Sequence, residues 1–219
     1  SGQVLDRSYS RYYTSNSSTG YTGGLKYTIN GDAYERFTAV YSTPDSATDA
    51  QLADFANHYF EYDSIHRVTK HTQPGTGCSS CTGGLGTSTF SYVTSAFADG
   101  YNNWRTKTTE TLADGTVNIV YTNFAGETIL TVTQPAGSSD QWCTYQRFDN
   151  NGRLILTAQP SAVSGYDDSY ADLLHNQSGD YQFLRNGQGL IQTISYGTST
   201  TATSTTAGNV LGYLYQTAL

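Results

Sequence analysis

The feature that most constrains this chain is a hairpin phrase that recurs along it. Its clearest copy is Tyr145-Gln-Arg-Phe-Asp-Asn-Asn-Gly-Arg-Leu-Ile-Leu-Thr157: an aromatic strand, an Asp-Asn-Asn-Gly turn, and an apolar strand opening on Arg153. Weaker copies are Tyr59-Phe-Glu-Tyr-Asp-Ser-Ile-His-Arg-Val-Thr69 and Val120-Tyr-Thr-Asn-Phe-Ala-Gly-Glu-Thr-Ile-Leu130, and a partial copy runs from Tyr181 to Ile191. Each copy offers a Tyr/Phe face and a Thr/Asn/Gln face. Such a hairpin cannot bury its aromatic face alone, so repetition implies stacking against neighbours. The expected class is therefore all-β and antiparallel, with a structural or binding role favoured over a pocket built for one reaction.

Composition agrees. Nineteen tyrosines, 22 glycines and abundant threonine are a β-rich signature, and 219 residues can bury a sizeable core. A net charge of −7 argues against nucleic acid and anionic membrane surfaces, which require basic patches. No apolar run reaches the roughly 18–20 residues of a membrane span. Surfaces that are polar but weakly charged, as here with 13% charged residues, suggest a secreted, cell-surface setting. The chain holds no methionine and opens on Ser1-Gly2, which suggests a processed product or a piece of a longer polypeptide.

No composition shift marks a boundary, so residues 1–219 read as one continuous β-rich unit. Residues 1–44 read as N-terminal strands, with Asn30-Gly31-Asp32 as a hairpin turn because Asn-Gly supplies positive φ. Residues 45–57 read as a short helix capped by Asp45-Ser46, with Leu52, Phe55 and Ala56 on one face. Residues 58–219 read as hairpins interrupted by loops at 73–87 and 198–208. Within that span Tyr166–Leu174 fits one or two helical turns, and strands are expected near 180–197 and 209–217. The apolar ends, Val4 and Leu5 on one side and Val210, Leu211, Tyr213 and Tyr215 on the other, are candidate assembly strands that link the chain to copies of itself or to the rest of a longer parent chain.

The residues Tyr145, Phe148-Asp149 and Gly152-Arg153, with Tyr62-Asp63 and Arg67 in a second copy and Tyr121 and Gly126 in a third, resemble the YD (Rhs) repeat. The surrounding phrases are similar to long secreted repeat proteins of planctomycete-type bacteria. The resemblance implies an open spiral or shell segment of antiparallel hairpins. It also implies that Asp149 caps the turn amides, that Gly152 takes the positive-φ position, and that Arg153 reaches back to Asp149. Two departures stand out: His66 replaces the turn glycine in one copy, and Phe148 replaces the second tyrosine in another. No Asp-Pro dipeptide occurs, so the self-cleaving end of such shells is not expected here.

Chemistry-bearing patterns are sparse. The chain lacks a nucleophile elbow, a phosphate loop, a dinucleotide fingerprint and a His-Glu-x-x-His motif, so it reads as non-enzymatic and needs no cofactor. Cys78, Cys81 and Cys143 are candidates for a structural disulfide, either across Ser-Ser or from one of the first two to Cys143. A zinc site would need a further ligand such as His66 or His71, and no second Cys pair frames it. His58, His66 and His71 cluster around one hairpin, which could suggest a metal site, but with no paired ligand motif to frame them they are read, like His175, as turn and strand-surface residues. Asp167, Asp168 and Asp172 are better explained by helix capping than by calcium. Trp104 and Trp142 suit either sugar rings or a stacked core, and the core is favoured. The overall expectation is a structural unit of a surface fibre or shell, with a carbohydrate-binding or adhesin module as the alternative and glycans as its partners.

Overall fold

The computed structural model describes residues 6–74, 85–185 and 187–219. Among them, twelve strands form one open antiparallel sheet whose order follows the chain apart from one inserted pair. The strands are β1 (Ser8–Tyr12), β2 (Leu25–Asn30), β3 (His58–Tyr62), β4 (Val68–Pro74), β5 (Leu85–Thr94), β6 (Thr106–Thr111), β7 (Val117–Thr122), β8 (Thr128–Gln134), β9 (Trp142–Phe148) and β10 (Leu154–Ala158). The small pair β11 (Asn176–Gln177) and β12 (Asp180–Tyr181) lies outside the sheet, which resumes with β13 (Ile191–Tyr196) and ends at β14 (Leu214–Ala218). The all-β reading holds.

By contact density the chain gathers into two compact units, residues 1–91 with 110–114, and residues 92–109 with 115–219. In the second unit, strand periodicity builds the core. Ile119 and Tyr121 on β7 face Val132 and Leu130 on β8, which face Cys143 and Tyr145 on β9. Side chains directly opposite across a ladder share a face, so these six make one apolar patch, each at most 8% exposed. Trp104 and the irregular segment 161–185, through Ala162, Val163, Leu173, Leu174 and Leu184, cover it. Residues at the intervening positions, including Val120, Thr131 and Thr144, stay half-exposed.

In the first unit, β2 and two helices do the same work. The segment expected to continue as a strand after a turn at Asn30-Gly31 is instead helix α1 (Gly31–Val40). Ala33, Phe37 and Tyr41 recur every four residues, and Ala33 and Phe37 are buried against Tyr27, Ile29 and Leu52. Asp32 sits in the first helical turn, where the helix dipole favours a carboxylate. The single helix expected over 45–57 is split into a 3-10 turn at Pro44–Ser46 and a short helix α2 (Asp49–Ala53). Thr43 caps the first and Thr48 caps the second, Thr48 in a capping box with Gln51; Asp45 caps neither.

Three further expectations are corrected. Tyr166–Leu174 forms turns rather than helix: Leu173 and His175 take positive φ, which turns Leu173 and Leu174 inward to complete burial. The partial copy at Tyr181–Ile191 does not close a hairpin, because Tyr181 pairs with Asn176 while Ile191 pairs with Ala158. The loop read at 73–87 is narrower, since Gln73-Pro74 and Leu85–Thr87 belong to paired strands.

Candidate functional site: tied turns and an open edge

Three hairpin turns share one geometry. At β3–β4, the Asp63 N–H donates to Arg67 O at 2.9 Å and the His66 N–H donates to Asp63 O at 3.1 Å. At β9–β10 the same bonds join Asp149 to Arg153 (2.9 Å) and Gly152 to Asp149 (3.0 Å). At β7–β8 they join Asn123 to Glu127 (2.9 Å) and Gly126 to Asn123 (3.1 Å). The fourth residue is left-handed each time, with φ +69° at His66, +75° at Gly152 and +83° at Gly126. The flanking pairs Tyr62–Val68, Phe148–Leu154 and Thr122–Thr128 each adjoin a register shift. This is a three-residue hairpin loop, a type I turn completed by a left-handed residue and a bulge.

One side chain ties each turn. Asp149 Oδ1 accepts from the Asn151 and Arg153 amides at 2.8 and 3.0 Å, and Asp149 Oδ2 accepts from Arg153 Nε at 2.8 Å. Asp63 does the same for Ile65 and Arg67. Asn123 accepts from Ala125 and Glu127 through Oδ1, and its amide nitrogen donates to Glu127 Oε2 at 2.8 Å. The ion pair is thus replaced by a neutral amide facing a carboxylate, with the same spacing of four residues. Burial raises the pKa of Asp63 and Asp149, but hydrogen bonds and charge from Arg67 and Arg153 outweigh it and hold both carboxyls below the usual range.

Arg153 also links its turn to the strands that follow. Its guanidinium lies 4.5 Å from the centre of the Tyr196 ring on β13, and its Nη1 donates to Gly212 O at 3.5 Å. The Tyr196 hydroxyl donates back to Leu154 O at 3.0 Å. Beyond β13 lies β14, all five of whose residues are exposed. Among the described residues β14 pairs with β13 alone, through Thr193–Ala218, Ile194–Thr217, Ser195–Gln216 and Tyr196–Leu214. Leu211, Tyr213, Leu214 and Tyr215 are 61–71% exposed, and Val210 is 38% exposed. Val210, Leu211 and Tyr213 precede the strand rather than lying in it, so the expected strand over 209–217 begins later, at Leu214. Val4 and Leu5 lie outside the described residues.

The remaining candidates fall as follows. Cys143 is a free, buried thiol, and Cys78 and Cys81 lie outside the described residues. Burial pushes the Cys143 thiol up to about 11, so it is protonated and inert near neutrality. Asp167, Asp168 and Asp172 serve irregular turns: Asp167 accepts from Ser169 N, Asp172 accepts from His175 N and Asn176 N, and Asp168 pairs with Lys107 at 2.8 Å. Trp104 is buried, with Nε1 donating to Asp168 O, whereas Trp142 is 54% exposed and departs from the core expectation. His66 stacks on Tyr21 with centroids 3.7 Å apart.

Two further groupings come together in the fold. His58 Nδ1 and His71 Nε2 meet at 2.9 Å across β3 and β4, and His71 has its pKa lowered by burial and then by the His58 charge. Arg11 and Lys26 converge on Asp49 at 3.1 and 2.5 Å beside a cleft of about 900 Å³ that Tyr9, Tyr12 and Tyr13 help line. The Asn123–Glu127 tie carried a usable signal in its spacing. The histidine pair lies on the two arms of one expected hairpin, and the register of β3 against β4 decides that the rings touch. Among the described residues no three His, Cys, Asp or Glu side chains gather as a metal cluster, and no helix is long and apolar enough to cross a membrane. No protein-family model matches the chain, and no curated protein matches its sequence.

Proposed function

We propose that this chain is a structural repeat segment of a secreted, surface-associated protein, and that a further strand added at β14 lengthens its sheet. That strand comes from another copy of the chain or from the rest of a longer parent chain. The observation that carries the reading is β14 itself: five exposed residues at the rim of an open sheet, preceded by exposed Leu211 and Tyr213. An uncovered strand of this kind is a template for strand addition, and protein sheets ordinarily blunt such edges with charge or proline. β14 and its approach, Val210–Ala218, carry neither. The three equivalent turns support membership of the YD-repeat family, since a repeat is recognised by the same residues doing the same structural task. The extracellular setting rests on composition.

The test is light scattering with negative-stain electron microscopy across a concentration series, comparing the wild type with Leu214→Lys/Thr217→Pro. The lysine adds charge to the edge, and the proline removes a donor and opposes pairing. Concentration-dependent oligomers or filaments are expected for the wild type and monomers for the variant, with the same far-UV circular dichroism. A variant that assembles as well as the wild type rules out β14 as the joint.

The cleft beside Arg11, Lys26 and Asp49 favours a second reading, glycan binding. It is lined by tyrosines and hydroxyl side chains, and Tyr12 is 53% exposed. Aromatic faces and hydroxyls suit neutral sugars, and the two cations are already engaged by Asp49. Loss of glycan-array signal in Tyr12→Ala would support this reading, and unchanged signal would remove it.

A further inference from the structure

A second, smaller pocket opens between α2 and the sheet of the first unit. Side chains alternate along a strand, so Tyr59 and Glu61 on β3 project to the same side, where Tyr59 packs against the helix-covered core. On β4, Thr72 lies directly opposite Tyr59 and Lys70 directly opposite Glu61. On β2, Tyr27 lies opposite Tyr59, and the two rings stack with centroids 4.9 Å apart and planes 30° from parallel. Ala53 ends α2 and Ala56 follows it, and each brings only a methyl group to this row. The space those short side chains leave is a pocket of about 280 Å³.

Its walls divide by chemistry. Two tyrosine rings and two alanines make the apolar side. On the polar side the Tyr59 hydroxyl donates to Glu61 Oε1 at 3.0 Å, and Lys70 Nζ donates to the same oxygen at 3.1 Å. Both bonds fall on one oxygen, so Glu61 Oε2 has no partner among the described residues. An ammonium has three donors, and this bond uses one. The Lys70 and Glu61 side chains are 38% and 21% exposed, which keeps both within reach of a ligand entering from solvent. Thr72 Oγ1, hydrogen-bonded to Thr87 Oγ1 at 3.1 Å, adds a hydroxyl to the polar side.

We propose that this pocket binds one neutral pyranose ring of a glycan, with its C–H face against the Tyr27–Tyr59 wall and two neighbouring hydroxyls held by Glu61 and Lys70. One hydroxyl donates to Glu61 Oε2 and the next accepts from Lys70 Nζ. The two charges cancel, so the pocket favours neither an anion nor a cation. A wholly apolar ligand would strip water from both charged groups without replacing its hydrogen bonds, which is costly. A vicinal diol supplies a donor and an acceptor side by side. Its ring hydrogens meet aromatic faces that carry partial negative charge. Ligand pockets commonly span roughly 300–1,000 Å³, so this one suits a single ring rather than a buried oligosaccharide. It shares no lining residue with the cleft beside Arg11, and the proposal does not rest on the reading of that cleft.

The experiment is a saturation-transfer NMR titration of the full chain with the methyl pyranosides of glucose, galactose and mannose. It compares the wild type with Ala53→Leu, which fills the pocket, Glu61→Gln, which removes the charged acceptor, and Tyr12→Ala, which alters only the other cleft. Each variant is checked for fold by circular dichroism. Saturable binding of at least one pyranoside is expected in the wild type and unchanged in Tyr12→Ala. It should be lost in Ala53→Leu and about fivefold weaker in Glu61→Gln, where a charge-assisted hydrogen bond becomes a neutral one. No saturable binding of any of the three to the wild type would overturn the proposal. Loss in Tyr12→Ala with retention in Ala53→Leu would also overturn it, by assigning the sugar to the cleft. Unchanged affinity in Glu61→Gln would do so even if Ala53→Leu failed to fold.

Discussion

At the scale of single residues, the same turn is met under three different constraints. Gly126 and Gly152 occupy equivalent left-handed positions, yet a methyl group at Gly126 meets nothing within 4 Å, while at Gly152 it comes 2.7 Å from Tyr101 Cε1. Gly126→Ala should therefore cost only backbone strain, about 1 kcal/mol, whereas Gly152→Ala should cost more because an aromatic ring must also move. Chemical denaturation of both variants checks this, and equal losses would show that the Tyr101 contact carries no weight. His66 holds the same conformation with a full side chain. It is retained in a strained region through its stack on Tyr21, which a glycine there would forfeit. The departure from glycine that stands out in the sequence thus has a tertiary cause.

At the scale of elements, the hairpin is stabilised by turn hydrogen bonds more than by charge. Asn123–Glu127 makes the turn with no ion pair, and Asp149–Arg153 makes it with one that is 20–33% exposed. An exposed ion pair contributes about 0–1 kcal/mol. Asp149→Asn, which keeps the Oδ1 acceptor, should accordingly cost at most about 1 kcal/mol at neutral pH. The pH dependence follows from the sign of the shift. The folded pKa of Asp149 lies below its ordinary 3.8, so near that pH the unfolded chain binds more protons than the folded one. The Asp149 contribution is full above that value and is lost as pH falls through the folded pKa. Melting temperatures recorded between pH 7 and pH 2 should fall at the acid end in the wild type and fall less steeply in Asp149→Asn. Identical slopes would show that Asp149 adds nothing to acid sensitivity. Asp63 works in the same direction, so the acid sensitivity of the variant should be reduced rather than abolished.

At the scale of the whole molecule, the two units build their cores differently. The first sets two helices on β2, and the second sets an irregular segment on β7–β9. Phe37 and Leu130 are both fully buried, one in each core. Phe37→Ala should cost about 3–5 kcal/mol and Leu130→Ala about 2–5 kcal/mol through lost burial and residual cavities. Hydrogen exchange followed by mass spectrometry should show faster exchange at β2 and α1 in the first variant and at β7–β9 in the second. Unchanged exchange at those strands would show that these side chains do not hold their cores together. The open β14 edge belongs to this scale too, because exposure of a strand is a property of what the rest of the sheet leaves uncovered.

Local chemistry was readable wherever it decided the outcome. Alternating apolar positions and a turn with a left-handed fourth residue require only neighbours in sequence, and they placed β3–β4, β7–β8 and β9–β10 and the Asp149–Arg153 tie. The sequence failed where a long-range contact chose between two local possibilities. Asn30-Gly31 permits a hairpin turn, but burial of Ala33 and Phe37 against Ile29 and Leu52 makes the following residues a helix. Tyr181–Ile191 resembles a hairpin copy, but pairing of Ile191 with Ala158 draws its second half to a different strand. The grouping of His58 and His71 on one hairpin and the apolar C-terminal strand were legible, but the ring contact and the start of β14 at Leu214 depended on strand register. The sequence by itself determined the β class, the turn chemistry and the aromatic faces, because these depend on φ preferences and side-chain period. Only the tertiary structure decided which faces are covered, which rings meet and which edge stays open, because those follow from the register and order of strands far apart in the chain.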